Sequence, residues 1–278
     1  MKRISLFILL GIFTSACDVI EEPYITVNND DGQVSFEILD EDFEIENVVQ
    51  KVLLEEFTGH QCPNCPEGAI TAYNLHNLYG DKFITIAYHA GFFARTSNEF
   101  PTDYRTSEGN ALNTEFGVSS YPAGVISRTE VNSNLVLGNS LWPQATGNII
   151  DNTPKLGIEI IHAHEADNLS VTIRLQAFYE TEPLRVCVFI TEDKLISPQI
   201  TPEGVVDDYE HNHVFRTSLL NETWGMPIFT EGANPGLKMS FRINRSIDAS
   251  WNTANLNIVC FAYDEITSEV LQAEEVAL

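Results

Sequence analysis

Two cysteines, Cys62 and Cys65, stand at the junction between a short apolar run and a helical pattern, and this constrains the fold more than any other feature. The run from Val52 to Phe57 predicts a buried strand, and Thr58–Gly59 predicts a turn. The segment that opens with the cysteines has a helical pattern to about Tyr79, and Gly80 marks its end. A Cys-x-x-Cys motif between a strand and a helix is typical of a redox-active pair.

The predicted helix start assigns different roles to the two sulfurs. Cys62 is expected at the N-cap, where unpaired backbone N–H groups and the helix dipole favour a thiolate, so it would be the attacking sulfur. Cys65, one turn farther on, is expected to be more buried and to close the disulfide. Pro63 and Pro66 lie where helical N–H groups have no intrahelical partner, so neither breaks the helix.

An acidic residue and a later proline extend the pattern. Glu56 precedes Cys62 by six residues on the predicted strand, where a buried carboxyl can take the proton of Cys65. Tyr121-Pro122 opens another apparent strand. Together these residues resemble the thioredoxin superfamily. The resemblance implies that Pro122 is cis and faces the cysteines, that the backbone of Tyr121 holds an extended substrate, and that Pro63 and Asn64 between the cysteines also contact it.

Metal binding is the alternative for the cysteine pair. Half of a zinc site would need a second Cys/His pair at ligand spacing, and none follows in this part of the chain, so the redox interpretation is favoured and no cofactor is predicted. His211-Asn-His213 and His162-Ala-His164 place two histidines on one face of a strand, but a structural role is favoured for both pairs. His60 either tunes the pKa of Cys62 or is an exposed loop residue, and His89 is either near the site or a satisfied core or edge histidine.

The N-terminus has a basic start, a short apolar core and small residues before Cys17. It resembles a bacterial lipoprotein signal with Thr14–Cys17 as the lipobox, which implies that Cys17 is the acylated first residue of the mature protein. An ordinary secretory signal cut near Ala16 is the alternative. The net charge of −25 and only 15 basic residues argue against nucleic-acid binding.

Four segments are predicted. Residues 1–17 are the lipoprotein signal, and residues 18–46 form an acidic tether that includes a strand at Gln33–Leu39. Residues 47–153 form one α/β unit with the thioredoxin order of elements, including a hairpin turning near Asn132-Ser133 and a last helix around residues 141–150. Residues 154–278 form an antiparallel, immunoglobulin-like β-sandwich. Its seven alternating runs are 156–162, 169–178, 184–191, 214–220, 237–243, 256–263 and 270–276.

Cys187 and Cys260 lie in two of these apolar runs. Export makes a disulfide between them possible if the strands are neighbours. A buried free cysteine is equally ordinary, because it behaves as a small hydrophobe. Both alternatives stay open.

The lipoprotein start, the segment from Leu53 to Ala69 and the motif from Tyr209 to Arg216 together resemble the twenty-eight-kilodalton outer-membrane-protein-related lipoproteins of Gram-negative bacteria. The resemblance implies a cell-envelope protein attached to the outer membrane through its lipid. It does not decide whether the protein lies on the periplasmic face or on the cell surface. Two functions are expected: a thiol-disulfide oxidoreductase acting on protein thiols or disulfides of the envelope, or a binding or scaffolding lipoprotein with a structural disulfide.

Overall fold

The computed structural model describes residues 34–278, which are mostly β-sheet with few helices. The predicted signal, Cys17 and the first part of the tether lie outside the described residues. In the first half, the strands are β1 (Val34–Leu39), β2 (Val52–Thr58), β3 (Phe83–His89) and β4 (Ala123–Ile126), and the helices are α1 (Cys65–Tyr79), α2 (Ser107–Glu115) and α3 (Trp142–Gly147). Within the described part of the chain, no helix is long and apolar enough to cross a membrane.

The second half contains strands and one short 3-10 turn. The strands are β5 (Leu156–Glu165), β6 (Asn168–Ala177), β7 (Leu184–Glu192), β8 (Leu195–Thr201), β9 (Gly204–His211), β10 (Val214–Ser218), β11 (Met226–Ile228), β12 (Lys238–Ser246), β13 (Leu256–Asp264) and β14 (Val270–Ala277). All seven predicted runs are therefore strands. β8, β9 and β11 were not predicted, because Pro198 interrupts the alternation in β8 and β11 has only three residues.

Two large sheets pack face to face, in the manner of a β-sandwich. A four-stranded antiparallel sheet has the order β1-β12-β6-β5, and a mixed eight-stranded sheet has the order β14-β13-β7-β10-β3-β2-β4, with β11 added to β7. The side chains between them form one apolar core, to which β6 contributes Val171 and Ile173, and β13 contributes Ile258 and Cys260.

The strands β7 and β13 are buried on both faces. Their second face carries Cys187, Phe189 and Phe261, which pack in a separate core with residues of β2, β3 and α2. Burial on both faces explains why these strands have continuous apolar sequences. The same arrangement explains why Cys187 and Cys260 form no disulfide. Cys260 pairs in register with Val188, the neighbour of Cys187, so the two thiols point to opposite faces of the sheet and both are free.

The α/β unit begins with a parallel crossover, β2-α1-β3, and β4 pairs antiparallel to β2. α1 ends as predicted, with Gly80 in a left-handed conformation (φ 59°). The predicted turn is present at Asn132 and Ser133, both with positive φ, but the return of the chain makes only isolated bridges. The last helix, Trp142–Gly147, is shorter than predicted.

The two predicted halves share a sheet. β10 lies between β3 and β7, parallel to β3, and the backbone N–H of Ala87 donates to the carbonyl of His213 at 2.8 Å. The division at residue 153 therefore stays a prediction.

The strand predicted at Gln33–Leu39 is β1, which completes the four-stranded sheet beside β12. The acidic segment that follows it also contacts this sheet: Arg174 donates to both carboxylate oxygens of Glu41, at 2.9 and 3.0 Å. The tether sequence between residues 34 and 46 is thus docked on the sandwich.

Candidate functional site

The cysteine pair forms a disulfide at the start of α1. Cys62 and Cys65 are bonded, with their Cα atoms 5.4 Å apart. The prediction that Cys62 is the N-cap is wrong, since α1 begins at Cys65 and its N-cap is Asn64. The reason is a tighter turn: the Cys65 N–H donates to the Cys62 carbonyl and the Glu67 N–H donates to the Asn64 carbonyl, three residues back rather than four.

Both cysteines are covered. Cys62 is 1% exposed and Cys65 is 2% exposed. Gln199 Nε2 donates to the Cys62 carbonyl at 3.0 Å. Gly59 is pressed against the backbone of the loop after β3, where an added Cβ would lie 2.5 Å from the carbonyl carbon of Phe93. The site is thus closed by a strand of the second half and by a loop of the first.

Glu56 lies buried on β2 beneath the start of α1. Burial raises the pKa of Glu56 to about 8. Its Oε1 has no hydrogen-bond partner among residues 34–278, so no hydrogen bond to this oxygen offsets the loss of hydration. A buried, unpaired carboxyl of this pKa exchanges a proton near neutral pH.

Gly68 brings Glu56 and Pro122 together against α1. A Cβ at Gly68 would lie 2.9 Å from Glu56 Oε1 and 2.8 Å from the Cβ of Pro122. The Tyr121–Pro122 peptide bond is cis. The Tyr121 hydroxyl donates to Asn113 Oδ1 at 2.5 Å, which fixes the ring beside this turn. The structure therefore places the predicted acid and the predicted proline at one point, one turn along α1 from Cys65.

The remaining predicted residues lie at the edge of the site. Pro63 is half-buried and Asn64 is exposed, and the Asn64 side chain caps no backbone group. The backbone of Tyr121 has no hydrogen-bond partner in the described part of the chain. These positions are open to a ligand, while the disulfide itself is not.

A cavity of about 240 Å³ connects Glu56 with the surface between α1 and β9. Cys65, Ala87 and His89 form part of its wall on one side, and Tyr209 and His211 form part of it on the other. Burial, and secondarily the charge of Glu56, raises the pKa of Tyr209. The carboxyl, the second cysteine and β9 thus share one space.

Three histidines gather beside the cavity. The ring of His89 is 5.3 Å from that of His211 and 6.4 Å from that of His60. Neither nitrogen of His89 has a hydrogen-bond partner within residues 34–278, and burial lowers its pKa well below the usual value. Burial lowers the pKa of His211 to about 4. Both rings are therefore neutral at pH 7.

His60 is buried, which excludes an exposed loop position. It stacks on Phe100 with ring centroids 5.4 Å apart, and its Nε2 lies 2.9 Å from the Arg95 carbonyl. His162 and His164 lie on β5. Over the described range, no group of three or more potential ligands has an arrangement that could hold a metal ion.

No pattern in the sequence placed Gln199 or Tyr209 at the site. The motif from Tyr209 to Arg216 was recognised, but its position beside Glu56 depends on contacts more than 150 residues apart along the chain. Gln199 follows Pro198 in a strand with no motif of its own.

Comparisons with solved structures found chains similar to this one. The structure resembles that of HBP35 of Porphyromonas gingivalis, with a TM-score of 0.61 and 18% identity, covering 83% of this chain and 76% of that one. At this identity the likeness shows the fold alone. A protein of Agrobacterium tumefaciens matches at a TM-score of 0.49 and 10% identity, covering 83% of this chain and 95% of its own.

A domain of the outer membrane lipoprotein Omp28 from Porphyromonas gingivalis matches at a TM-score of 0.34 and 21% identity, covering 46% of this chain and 90% of its own. A comparison with curated proteins found no match. Residues 109–278, more than half of the chain, match the family described as outer membrane protein Omp28. The family and the location predicted from the sequence are thus confirmed: the chain belongs to the Omp28 family, and it is an outer membrane protein of the cell envelope.

Proposed function

We propose that the protein is a thiol-disulfide oxidoreductase whose redox unit, residues 47–153, is thioredoxin-like. Glu56 carries the proposal, because a buried carboxyl with a pKa of about 8 shares a cavity with Cys65. The parallel crossover from β2 through α1 to β3 and the cis bond before Pro122 support the same interpretation. A static disulfide has no need for a titratable group beneath it.

In the proposed reaction, the Cys62 thiolate attacks a substrate disulfide and releases one substrate thiolate, leaving a mixed disulfide. Cys65 then gives its proton to the Glu56 carboxylate and attacks the Cys62 sulfur. The bond between Cys62 and the substrate breaks, the second substrate sulfur leaves, and the protein is left oxidised while the substrate is reduced. The reverse sequence oxidises a dithiol substrate. The reduction potential of the pair sets the direction.

The edge of the site would hold the substrate. Tyr121 offers a free backbone beside Pro122, and Pro63 and Asn64 lie between the cysteines at the accessible end of α1. An extended polypeptide can pair with such a backbone through its own amide groups. Substrates would be protein thiols or disulfides of the envelope, and a lipid at Cys17 would hold the enzyme at the membrane.

The test is a comparison of wild-type protein with Cys62→Ser in insulin reduction and in oxidative refolding, together with the reduction potential of the pair. Wild type is expected to be active in one direction and the variant inactive in both. Glu56→Gln is expected to slow turnover while the disulfide still forms. Equal activity of wild type and Cys62→Ser in every assay would exclude the oxidoreductase.

The second candidate is a binding or scaffolding protein whose disulfide is structural. The burial of both cysteines favours it, as does the large sandwich, which offers surface without visible chemistry. A potential below about −300 mV marks a structural disulfide, and a higher one marks a working pair. Labelling of thiols in intact cells after mild reductant separates the two in the native setting: a structural pair stays unlabelled.

A further inference from the structure

The hairpin of β8 and β9 stands apart from the large sheets. β8 and β9 pair with each other and with no other strand of the described residues. The strands on either side of the hairpin, β7 and β10, are antiparallel neighbours that begin their pairing at Glu192 and Val214. The hairpin is therefore an arm that extends the β7–β10 pair beyond the edge of the sheet.

The arm is bent at its base. Lys194 and His213, one on each side, both have a left-handed backbone with φ of 57°. The Lys194 N–H donates to Asn212 Oδ1 at 2.9 Å, and the His213 N–H donates to Asp193 Oδ1 at 2.7 Å. Non-glycine residues in this conformation are uncommon, and side-chain hydrogen bonds hold them in it here. Two such positions facing each other form a defined hinge.

The bend brings β8 onto the redox motif. The Ile200 N–H donates to the His60 carbonyl at 2.8 Å, and the Gln199 side chain donates to the Cys62 carbonyl at 3.0 Å. The Ile200 N–H thus points away from β9 and toward the motif. A main-chain donor bonded to a main-chain acceptor is the contact that an extended peptide makes with a sheet edge.

We propose, on the basis of the proposed function, that this hairpin is a displaceable cap that occupies the place of an extended polypeptide substrate. Cys62 is 1% exposed, and Gln199 is hydrogen-bonded to its carbonyl, so a substrate sulfur can reach it only after the residues around it move. When the arm swings on its hinge, the amide of a substrate strand replaces that of Ile200 at the His60 carbonyl, and the substrate disulfide faces Cys62. Closure protects the pair from small thiols and disulfides.

The test measures access to Cys62 in the reduced full-length protein by its alkylation rate with iodoacetamide, read by mass spectrometry. Ile200→Pro removes the donor to His60 without touching the ladder to β9, and Gln199→Ala removes the donor to Cys62. Each is expected to raise the rate at least tenfold. Ile196→Ala is the matched control, because Ile196 is exposed on the same strand, and its rate should equal that of wild type.

Equal rates for wild type, Ile200→Pro and Gln199→Ala would overturn the cap. Hydrogen exchange on unmodified protein gives a second test that needs no variant. The Ile200 amide is expected to exchange at least a hundredfold faster than the Phe189 amide in β7, and exchange of both only by global unfolding would also overturn it. Alkylation of Cys62 requires no catalytic turnover. If the variants are alkylated faster but wild type has no redox activity, the cap is supported and the oxidoreductase is excluded.

Discussion

Arg128 is fully buried against Glu55: its Nε donates to one carboxylate oxygen at 2.8 Å and its Nη2 donates to the other at 2.9 Å. The guanidinium also lies 4.6 Å from the ring centroid of Tyr263 on β13 and 5.2 Å from that of Phe261. This one side chain joins the strand that leads to the cysteines with a strand of the sandwich. Because two nitrogens of the guanidinium bond the two carboxylate oxygens at nearly equal distances, the pair is a bidentate ion pair.

Removal of one partner should therefore be costly. Glu55→Gln leaves a buried guanidinium without its counter-charge, and we expect a loss of about 3–5 kcal/mol in the free energy of unfolding. The measurement is urea denaturation at pH 7. Asp103→Asn is the matched control, since Arg105 holds Asp103 in the same forked geometry at the surface, and it should cost no more than about 1 kcal/mol. Equal losses for the two variants would contradict the assigned role of burial.

Gly68→Ala should disturb the proposed site. Its Cβ would lie within 3 Å of both Glu56 Oε1 and Pro122 Cβ, so one of them must move. We expect a loss of about 1–3 kcal/mol in the free energy of unfolding and slower thiol-disulfide exchange at Cys62 and Cys65. Thermal unfolding and insulin reduction measure the two effects. Gly147→Ala on α3 has open space around its Cβ and should be neutral or stabilising; a harmless Gly68→Ala would refute the crowding.

The contribution of Glu56 to the stability of the protein should fall as pH rises from about 4.5 to 8. Burial raises the pKa of Glu56 to about 8 from its usual value of 4.5, so between these values the folded state holds a proton that the unfolded state has lost. The contribution of Glu56 to stability is fully present below the lower pKa, and it is lost as the pH rises through the upper one. Glu56→Gln cannot ionise, so its advantage over wild type should grow across this range by several kcal/mol, about 5 at most.

Urea denaturation at pH 5, 6, 7 and 8 measures this difference. Glu67→Gln serves as the control for the chemical change, because Glu67 is exposed on the first turn of α1. A constant difference between Glu56→Gln and wild type would mean that Glu56 ionises normally in the folded protein.

Lipid attachment at Cys17 should decide where the protein is found. Cys17→Ala is expected to release it into the soluble fraction with its fold intact, because each buried acyl CH₂ contributes about 0.8 kcal/mol to membrane binding. Fractionation followed by circular dichroism measures both properties. Sedimentation of the variant with membranes after a high-salt wash would count against lipidation. Protease treatment of whole cells would then report which face of the membrane the protein occupies.

Local patterns carried the sequence-based predictions, and long-range contacts limited them. The strand before the cysteines, the helix end at Gly80 and the seven apolar runs are read from neighbouring residues, and the structure contains all of them. The sharing of one sheet by β3 and β10 has no local signal, because the two strands are far apart in the chain and meet through few residues. The N-cap at Cys62 was wrong because Pro63 allows a tight turn where the pattern alone suggested a full helical one.

The candidate site divides in the same way. Cys62, Cys65, Glu56 and Pro122 were all named from spacing and resemblance, and Gly68 brings two of them into contact range. Gln199 carries no pattern that distinguishes it from any polar strand residue. Its importance arises only from the bend at Lys194, where a positive φ sends β8 over the motif.

The bond between Gln199 and Cys62 spans 137 residues of chain. At ribosomal rates of about 5–20 residues per second, roughly ten seconds pass between the synthesis of the two ends. The cysteines are therefore synthesised several seconds before the arm, and during that time the arm cannot cover them. The sulfurs are therefore accessible in the unfolded chain, and under the proposed cap they become accessible in the folded protein only when the arm opens.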